Sequence, residues 1–582
     1  MVPSQPQGGH RRQRTLLVIV ALLASLLVPA ATVGAASPTG ASSRSVDLQL
    51  LAFNDFHGNL EPPSGSSGRI TIPTGTVNAG GVAYLATHLQ QLREGHEHSI
   101  TVSAGDNIGA SPLISGYFHD EPAIEALNAL KLEIASVGNH EFDEGAAELL
   151  RMQNGGCRPS TSDPADSCPD PDHPFTGADF QYLSANVVRK DTGKTLFPAY
   201  QVRNIDGVRV AFIGLTLEGT PTIVTPSGVA GLTFKDEADT INAIVKKLER
   251  KQRIETFVVL LHEGGIQTAP GFINECTGIS GAVLGIVNRL DPRVDAVISG
   301  HTHQPYNCQL PNAAGKDITV TSASSFGRLV TDLELRIDRA TGDVTKVQAE
   351  NVIVTRDVPT DPAEDAIIAK YNALIADVKN AVVGSITADL TRTGTAAGES
   401  ALGDVIADAQ LEAADNEFGA QFAFMNPGGI RADIVCDAGE TPPCPVIFNE
   451  LFTSQPFGNE MVTLDLTGAQ IDQVLEQQFD NPAAGQQRFL QVSDGFKYTW
   501  SSSAAVGNKV SNITIDGVPI VPTTTYRATM NIFLAGGGDN FTVLASGTNR
   551  VVGPVDLDAL VAYFGAHSPV APGPQDRYSV VP

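Results

Sequence analysis

The sequence predicts an α/β protein of two folded units joined by a long helix. Three observations point to it. Short Val/Ile/Leu-rich runs alternate with helical segments through the first half, an amphipathic stretch with a clear start signal follows near Asp361, and beyond it the texture changes to helix, strand and Gly-rich turns. A chain of 582 residues has room for two or three domains with substantial cores. With 42% hydrophobic and 18% charged residues it reads as globular rather than disordered or coiled coil.

At the N-terminus, "HRRQR" (His10–Arg14) is basic and the 13-residue "LLVIVALLASLLV" (Leu16–Val28) is uncharged. That run is short of the roughly 20 residues a membrane span needs. Small residues lead to Ala36, so 1–36 is expected to be a secretory signal peptide. No Cys follows it, and the terminal "QDRYSVVP" carries no hydrophobic tail. The expectation is a secreted or extracytoplasmic protein with no stable membrane anchor. Export makes the six cysteines readable as disulfides, and the local pairings 157–168, 276–308 and 436–444 are expected among the 15 that six cysteines allow.

The strand-like runs are "VDLQLLAF", "SITVSAG", "EIASVG", "VRVAFIGL", "TFVVLLH" and "VDAVISGH". Runs of this kind between helical segments suggest buried strands of an α/β core, assigned to 46–355. In "TDPAEDAIIAKYNALIADVKNAV", Asp361 suits the N-cap, Pro362 the first helical position, and Glu364 stands three after the cap. Ile367, Tyr371, Leu374, Ile375 and Val378 fall on one face. A connecting helix over 361–383 is expected, with a second domain over 384–582 containing the helix "ALGDVIADAQLEAA".

The net charge of −26 and pI near 4.8 argue against a nucleic-acid partner, whose phosphates would be repelled. An anionic small substrate needs positive charge gathered locally, from metal ions or arginines. Five apolar runs end in groups suited to that: Asp55 and His57 in "LAFNDFHGN", Asp106 in "TVSAGDN", Asn139 in "ASVGNHEFDEG", His262 in "FVVLLHEGG", and His301 and His303 in "AVISGHTHQPY". Each follows its strand, at the carboxyl end, where loops of open α/β sheets converge. Asp, His and Asn suit Mn, Zn, Fe, Co or Mg. Seven such groups exceed the needs of one tetrahedral ion, whereas two divalent ions about 3.5–4 Å apart could clamp a phosphoryl displacement and acidify water. By contrast "GHEH", with His96 and His98, precedes its strand and reads as a solvated loop.

These motifs, "DFH", "GD", "GNHEFD", the strand-end His and "GHTH", resemble the calcineurin-like metallophosphatases. "NPGGIR" (Asn426–Arg431), "QPFGNEMVTLDLTG" (Gln455–Gly468) and "FLAGGGDNF" (Phe533–Phe541) are similar to the C-terminal domain of secreted 5′-nucleotidases and UDP-sugar hydrolases. The resemblance implies a β-sandwich flanked by helices, then a connecting helix, then an α+β substrate-binding domain. It implies one metal set of Asp55, His57, Asp106 and His303 and another of Asp106, Asn139, His262 and His301, bridged by Asp106. His140 and Asp143 would form the catalytic dyad, while Glu141 and Glu144 would be helix N-terminal charges. Phe457 and Phe533 would stack a nucleobase, Asn426 and Arg431 would contact phosphate, and Asp539 would accept ribose hydroxyls.

One departure stands out: where relatives carry a further phosphate-binding arginine this chain has Ala396, with Arg392 nearby. The implied function is a metal-dependent 5′-nucleotidase in which metal-activated hydroxide attacks the phosphorus in line. UDP-sugar hydrolysis, cyclic-nucleotide and dinucleotide hydrolysis, and inactive nucleotide binding are the alternatives.

Overall fold

The computed structural model describes residues 44–582 apart from Ser64, 159–166, 170–173, Pro226, 269–270 and Ala438. The expected signal peptide over 1–36 lies outside the described residues. All six apolar runs form strands: Ser45–Phe53, Ser99–Ser103, Ile134–Ser136, Val208–Thr216, Thr256–His262 and Val294–Ser299.

They are shared between two six-stranded sheets. In the first, Ser45–Phe53 pairs antiparallel with Leu329–Asp338 and parallel with Ser99–Ser103, and Ile134–Ser136 and Gln181–Leu183 continue the parallel run. In the second, Val208–Thr216, Thr256–His262, Val294–Ser299 and Asp317–Ala323 are parallel. Its outer strands, Tyr200–Ile205 and Pro305–Pro311, are antiparallel.

Strand alternation explains the layering, since successive side chains point to opposite faces. Leu48, Leu50 and Ala52 meet Val210, Phe212, Val258, Leu260 and Ile298 of the second sheet in one core. Leu51 and Phe53 point outward into a core shared with helix Val82–Arg93. On the far side Phe257, Val259 and Leu261 pack under helices Glu237–Gln252 and Ala282–Asn288. The result is helix, sheet, sheet, helix. Central strands such as Thr256–His262 and Val294–Ser299 are buried on both faces because each face is covered, and each fully buried Val or Leu stabilises by about 1.5–3 kcal/mol.

Helix Pro362–Lys379 starts where expected, with the Asp361 carboxylate accepting from Ala363 N and Glu364 N. Tyr371 and Ile375 are buried in the core that holds Val82 and Leu85, whereas Leu374 is 49% exposed. Glu364, three residues after the cap, does not return its side chain to the Asp361 N–H. The Asp361 N–H donates instead to Ala83 O, and Glu364 turns inward, fully buried, its carboxyl oxygens lacking a hydrogen-bond partner among the described residues. Burial, with the nearby Asp361 and Asp365 carboxylates, pushes its pKa up to about 9.

After this helix come a five-stranded sheet, in the order Gln491–Val492, Phe422–Met425, Thr525–Asn531, Glu460–Thr467 and Thr548–Val555, and a four-stranded sheet around Phe496–Ser501. Phe422 and Phe424 face the core that contains Trp500 and Tyr578. Ala423 and Met425 face the other way, toward helix Ala401–Phe418, which Ser400 caps through Gly403 N. The three disulfides are Cys157–Cys168, Cys276–Cys308 and Cys436–Cys444, the local pairings expected. No helix among the described residues is long and apolar enough to cross a membrane.

Glu364 yields a prediction. Its carboxyl keeps a proton when folded and loses it when unfolded, from an ordinary value of 4.5 up to about 9. The folded state therefore loses stability as pH rises through that window. Glu364→Gln should gain on the order of 2 kcal/mol at pH 8 and almost nothing at pH 4.5, read from denaturant midpoints. A change of the same size at both pH values would contradict this.

Candidate metal centre and substrate cleft

The strand ends hold their polar residues in unusual backbone. Asp55, His57, Asp106, His301 and His303 have φ of 50°, 49°, 50°, 71° and 56°. Non-glycine residues seldom occupy the left-handed region, which costs roughly 1–3 kcal/mol each and persists where the surroundings over-determine it. Here it turns each side chain off the end of its strand toward one space.

In that space Asp55, His57 and His303 offer ligand atoms within 4.8 Å of one another, and so do Asp106, His262 and His301. Asp106 Oδ2 lies between the sets, 3.0 Å from His262 Nε2 and 3.8 Å from His57 Nε2. Asn139 Oδ1 stands 3.2 Å from His262 Nε2 and 3.0 Å from His301 Nδ1. The seven expected metal ligands are thus brought together.

The donor set fits cations. His57 Nδ1 is 2.8 Å from Gly109 O and His262 Nδ1 is 2.7 Å from Ala104 O, so each carbonyl takes the Nδ1–H and leaves an Nε2 lone pair facing inward. His57 Nε2 then faces His303 Nε2 at 3.1 Å, with the Asp55 and Asp106 carboxylates beside them. Such a cluster of lone pairs needs positive charge between its members. Without a metal the charge can only be protonic. Burial drives His57 down to about 3 and His301 down to about 4, whereas at His262 burial is outweighed by the Asp106 carboxylate and the pKa rises to about 10. At Asp106 burial is likewise outweighed, by His262 and His140, and its carboxyl is held well below the usual range.

Beside the cluster, His140 Nδ1 is 2.8 Å from Asp143 Oδ2, as the dyad reading expects. Burial lowers the imidazole's pKa, but the Asp143 and Asp106 carboxylates outweigh it and raise it overall. Nδ1 is engaged, so Nε2 is the nitrogen free to face a reacting group.

Glu141 corrects the reading of it as helix N-terminal charge. It is buried, and its carboxylate accepts from the backbone of Asp106, Asn107 and Gly138 at 3.0, 2.7 and 2.5 Å, tying two strand-end loops together. Glu144 is corrected in the same way, pairing with His119 and Arg158. Gly138 is required by crowding, since a Cβ there would lie 2.1 Å from Asp106 Oδ1.

A cavity of about 260 Å³ opens from this centre. Asn139, His140, Asp143 and His301 form one wall, and the expected residues of the second half, Asn426, Arg431, Phe457, Phe533 and Asp539, line the same space. Phe457 stacks on His140 with ring centroids 5.8 Å apart, and the Arg431 guanidinium lies 5.7 Å from the Phe457 centroid. Phe533 rests on Gly538, where a Cβ would meet the ring at 2.5 Å. Neither ring belongs to a hydrophobic core. The Asp539 carboxylate accepts from Asn426 Nδ2 at 2.8 Å and Arg488 Nη1 at 2.5 Å.

Arg488 and the segment Ile223–Thr225 also line the cavity, and sequence reasoning missed them. Arg488 sits in "GQQRFLQV", which carries no strand-end signal. Arg392 does not reach this cavity, and its Nε is 3.2 Å from Asp433 Oδ1. Of the decoy histidines, His96 pairs with Glu334, and His98 lies near Glu97 and an Asp206 already bound by Arg339.

A sandwich of two sheets with polar groups at the strand ends, joined to a second unit that closes a cleft over them, defines a calcineurin-like phosphoesterase architecture. Residues 48–305 match the family model for calcineurin-like phosphoesterases, and residues 379–546 match that for the C-terminal domain of 5′-nucleotidases. The chain belongs to the 5′-nucleotidase family.

It is 32% identical over 573 residues to a cell wall protein of Listeria monocytogenes, covering 93% of this chain and 70% of that one. It is 31% identical over 529 residues to an endonuclease of Bacillus subtilis, covering 90% of this chain but only 40% of the relative's length. The crystal structure of a 5′-nucleotidase precursor from Thermus thermophilus superposes with a TM-score of 0.71 at 28% identity, over 92% of this chain and 99% of that one.

Gly138→Ala is predicted to displace Asp106 and weaken Mn or Zn uptake by about 10–100-fold in calorimetric titration. Binding as tight as in the unaltered protein would show that Asp106 is not held by this contact.

Proposed function

We propose that the protein is an exported phosphohydrolase that uses two divalent metal ions to release phosphate from nucleoside 5′-monophosphates. The observation that carries this is the shared cavity: the Asp/His/Asn cluster and the aromatic, amide and arginine groups of the second half line one space. Asp55, His57, Asp106 and His303 would hold one ion, and Asp106, Asn139, His262 and His301 the other. When bound, such ions acidify water and offset charge on phosphoryl oxygens.

The chain's own groups do the rest. Arg431 presents a guanidinium to the phosphate, the geometry in which arginine donates two parallel hydrogen bonds. His140, oriented through Nδ1 by Asp143, turns Nε2 toward the departing ribose oxygen, where an imidazole can supply a proton. Phe457 and Phe533 present ring faces for a base, a contact worth about 1–3 kcal/mol per stacked base. Asp539, positioned by Asn426 and Arg488, accepts from ribose hydroxyls. Three disulfides support an oxidising compartment, and the relative in Listeria is a cell wall protein.

The test is phosphate release from AMP by protein stripped with chelator and restored with Mn or Zn. Activity is expected only with metal. His140→Ala should lower kcat by about 10²–10⁴-fold at unchanged metal content. Phe457→Ala should raise KM for AMP roughly 5–150-fold. Turnover of simple phosphoesters without preference for AMP would discard the nucleotide assignment, and metal binding without turnover of any ester would overturn the hydrolase.

A further inference from the structure

A second cavity, of about 380 Å³, adjoins the cleft. The short turn Pro427–Gly429 divides the two: Asn426, Gly428, Gly429 and Arg431 line the cleft, while Pro427 and Ile430 line the second cavity. Arg488 lines both, and Arg392 lines only the second. Among the described residues no carboxylate lines this second space. In a chain of net charge −26, two guanidiniums thus meet on one cavity that no carboxylate lines.

The arginines are not consumed by their neighbours. Arg488 makes one ion pair, through Nη1 to Asp539. Arg392 reaches Asp433 at 3.2 Å through Nε and Ile430 O at a long 3.4 Å through Nη1, with its side chain 44% exposed.

We infer that this second cavity is an anion subsite for a phosphate carried on the ribose of the substrate, so that nucleoside 3′,5′- or 2′,5′-bisphosphates bind with the 5′-phosphate at the metal cluster and the other phosphate between Arg488 and Arg392. The inference rests on the reading of Asp539 as the acceptor of ribose hydroxyls. A phosphate esterified to such a hydroxyl emerges beside the Asp539–Arg488 pair, and Arg488 is the side chain that opens onto the second cavity. Arg488 can exchange the Asp539 carboxylate for the phosphate, and Arg392 adds a second cation with donors to spare. The 5′ ester is still the bond broken, and the ribose phosphate leaves with the nucleoside.

The experiment compares kcat/KM for AMP, adenosine 3′,5′-bisphosphate and adenosine 2′,5′-bisphosphate in the metal-restored protein and in Arg392→Ala, with melting temperatures as the folding control. Arg392 lines only the second cavity, so AMP turnover should stay within about twofold. Turnover of at least one bisphosphate should fall about tenfold or more, the size of a lost charge-assisted contact. Which isomer responds identifies the hydroxyl. Equal effects on AMP and both bisphosphates, or unaltered protein that discriminates against both bisphosphates, would overturn the subsite.

Calorimetric binding of AMP and the bisphosphates to the chelator-stripped protein decides the matter independently of turnover. Tighter binding of a bisphosphate that is lost in Arg392→Ala supports the subsite even if AMP is never hydrolysed, in which case the 5′-nucleotidase reading fails alone. Binding insensitive to Arg392 overturns it.

Discussion

The structure depends on a crowd of electron pairs that only a few backbone and amide N–H groups, such as His301 N at Asp55 and His140 N at Asp106, help to satisfy. His57 Nε2, His262 Nε2, the Asp55 and Asp106 carboxylates and Asn139 Oδ1 all point into one space, and carbonyls behind the two imidazoles fix which nitrogen keeps its lone pair. Such an arrangement repels itself unless positive charge sits inside it. The fold bears the repulsion through the two-sheet core and through contacts with no other evident purpose: the Glu141 carboxylate clamping three backbone N–H groups, and left-handed backbone at five strand-end residues. Strain held by a well-packed scaffold is what a pre-organised ion site requires.

The second half of the chain completes the site across the cleft. Its Phe457 ring lies on His140, and its Arg431 sits where burial and the Asp143 and Asp106 carboxylates compete over its charge. A strongly acidic protein that handles an anion must concentrate positive charge where the anion sits, and here Arg431 and Arg488 face the cleft beside the candidate ion cluster. Binding energy supplied far from the reacting phosphorus can then position it, because remote groups hold the substrate in register with the chemistry.

Much of this was legible in the sequence because strands and their ends leave a linear record. Apolar runs such as "TFVVLLH" locate a buried strand, and the polar residue that follows marks the rim where loops converge. Asp361 and Pro362 announced a helix start for the same local reason. What was not legible depends on packing between distant segments. Glu364 stood three residues after the cap, yet Ala83 took the Asp361 N–H and the glutamate was buried instead. Glu141 looked like helix-end charge because nothing in "NHEFDEG" reveals that the backbone of residues 106 and 107 lies against it. Arg488 was invisible because its partner, Asp539, is 51 residues away in sequence. Arg392 stood near the gap left at Ala396 along the chain, but in space it faces Asp433 and the neighbouring cavity.

The most direct test of the central claim is anomalous X-ray diffraction from crystals of the protein loaded with Mn or Zn. The account requires two peaks about 3.5–4 Å apart, with Asp106 between them and His57 and His262 each binding through Nε2. A single peak, or peaks at another carboxylate cluster such as that of Glu97, His98 and Asp206 with none beside Asp106, would contradict it.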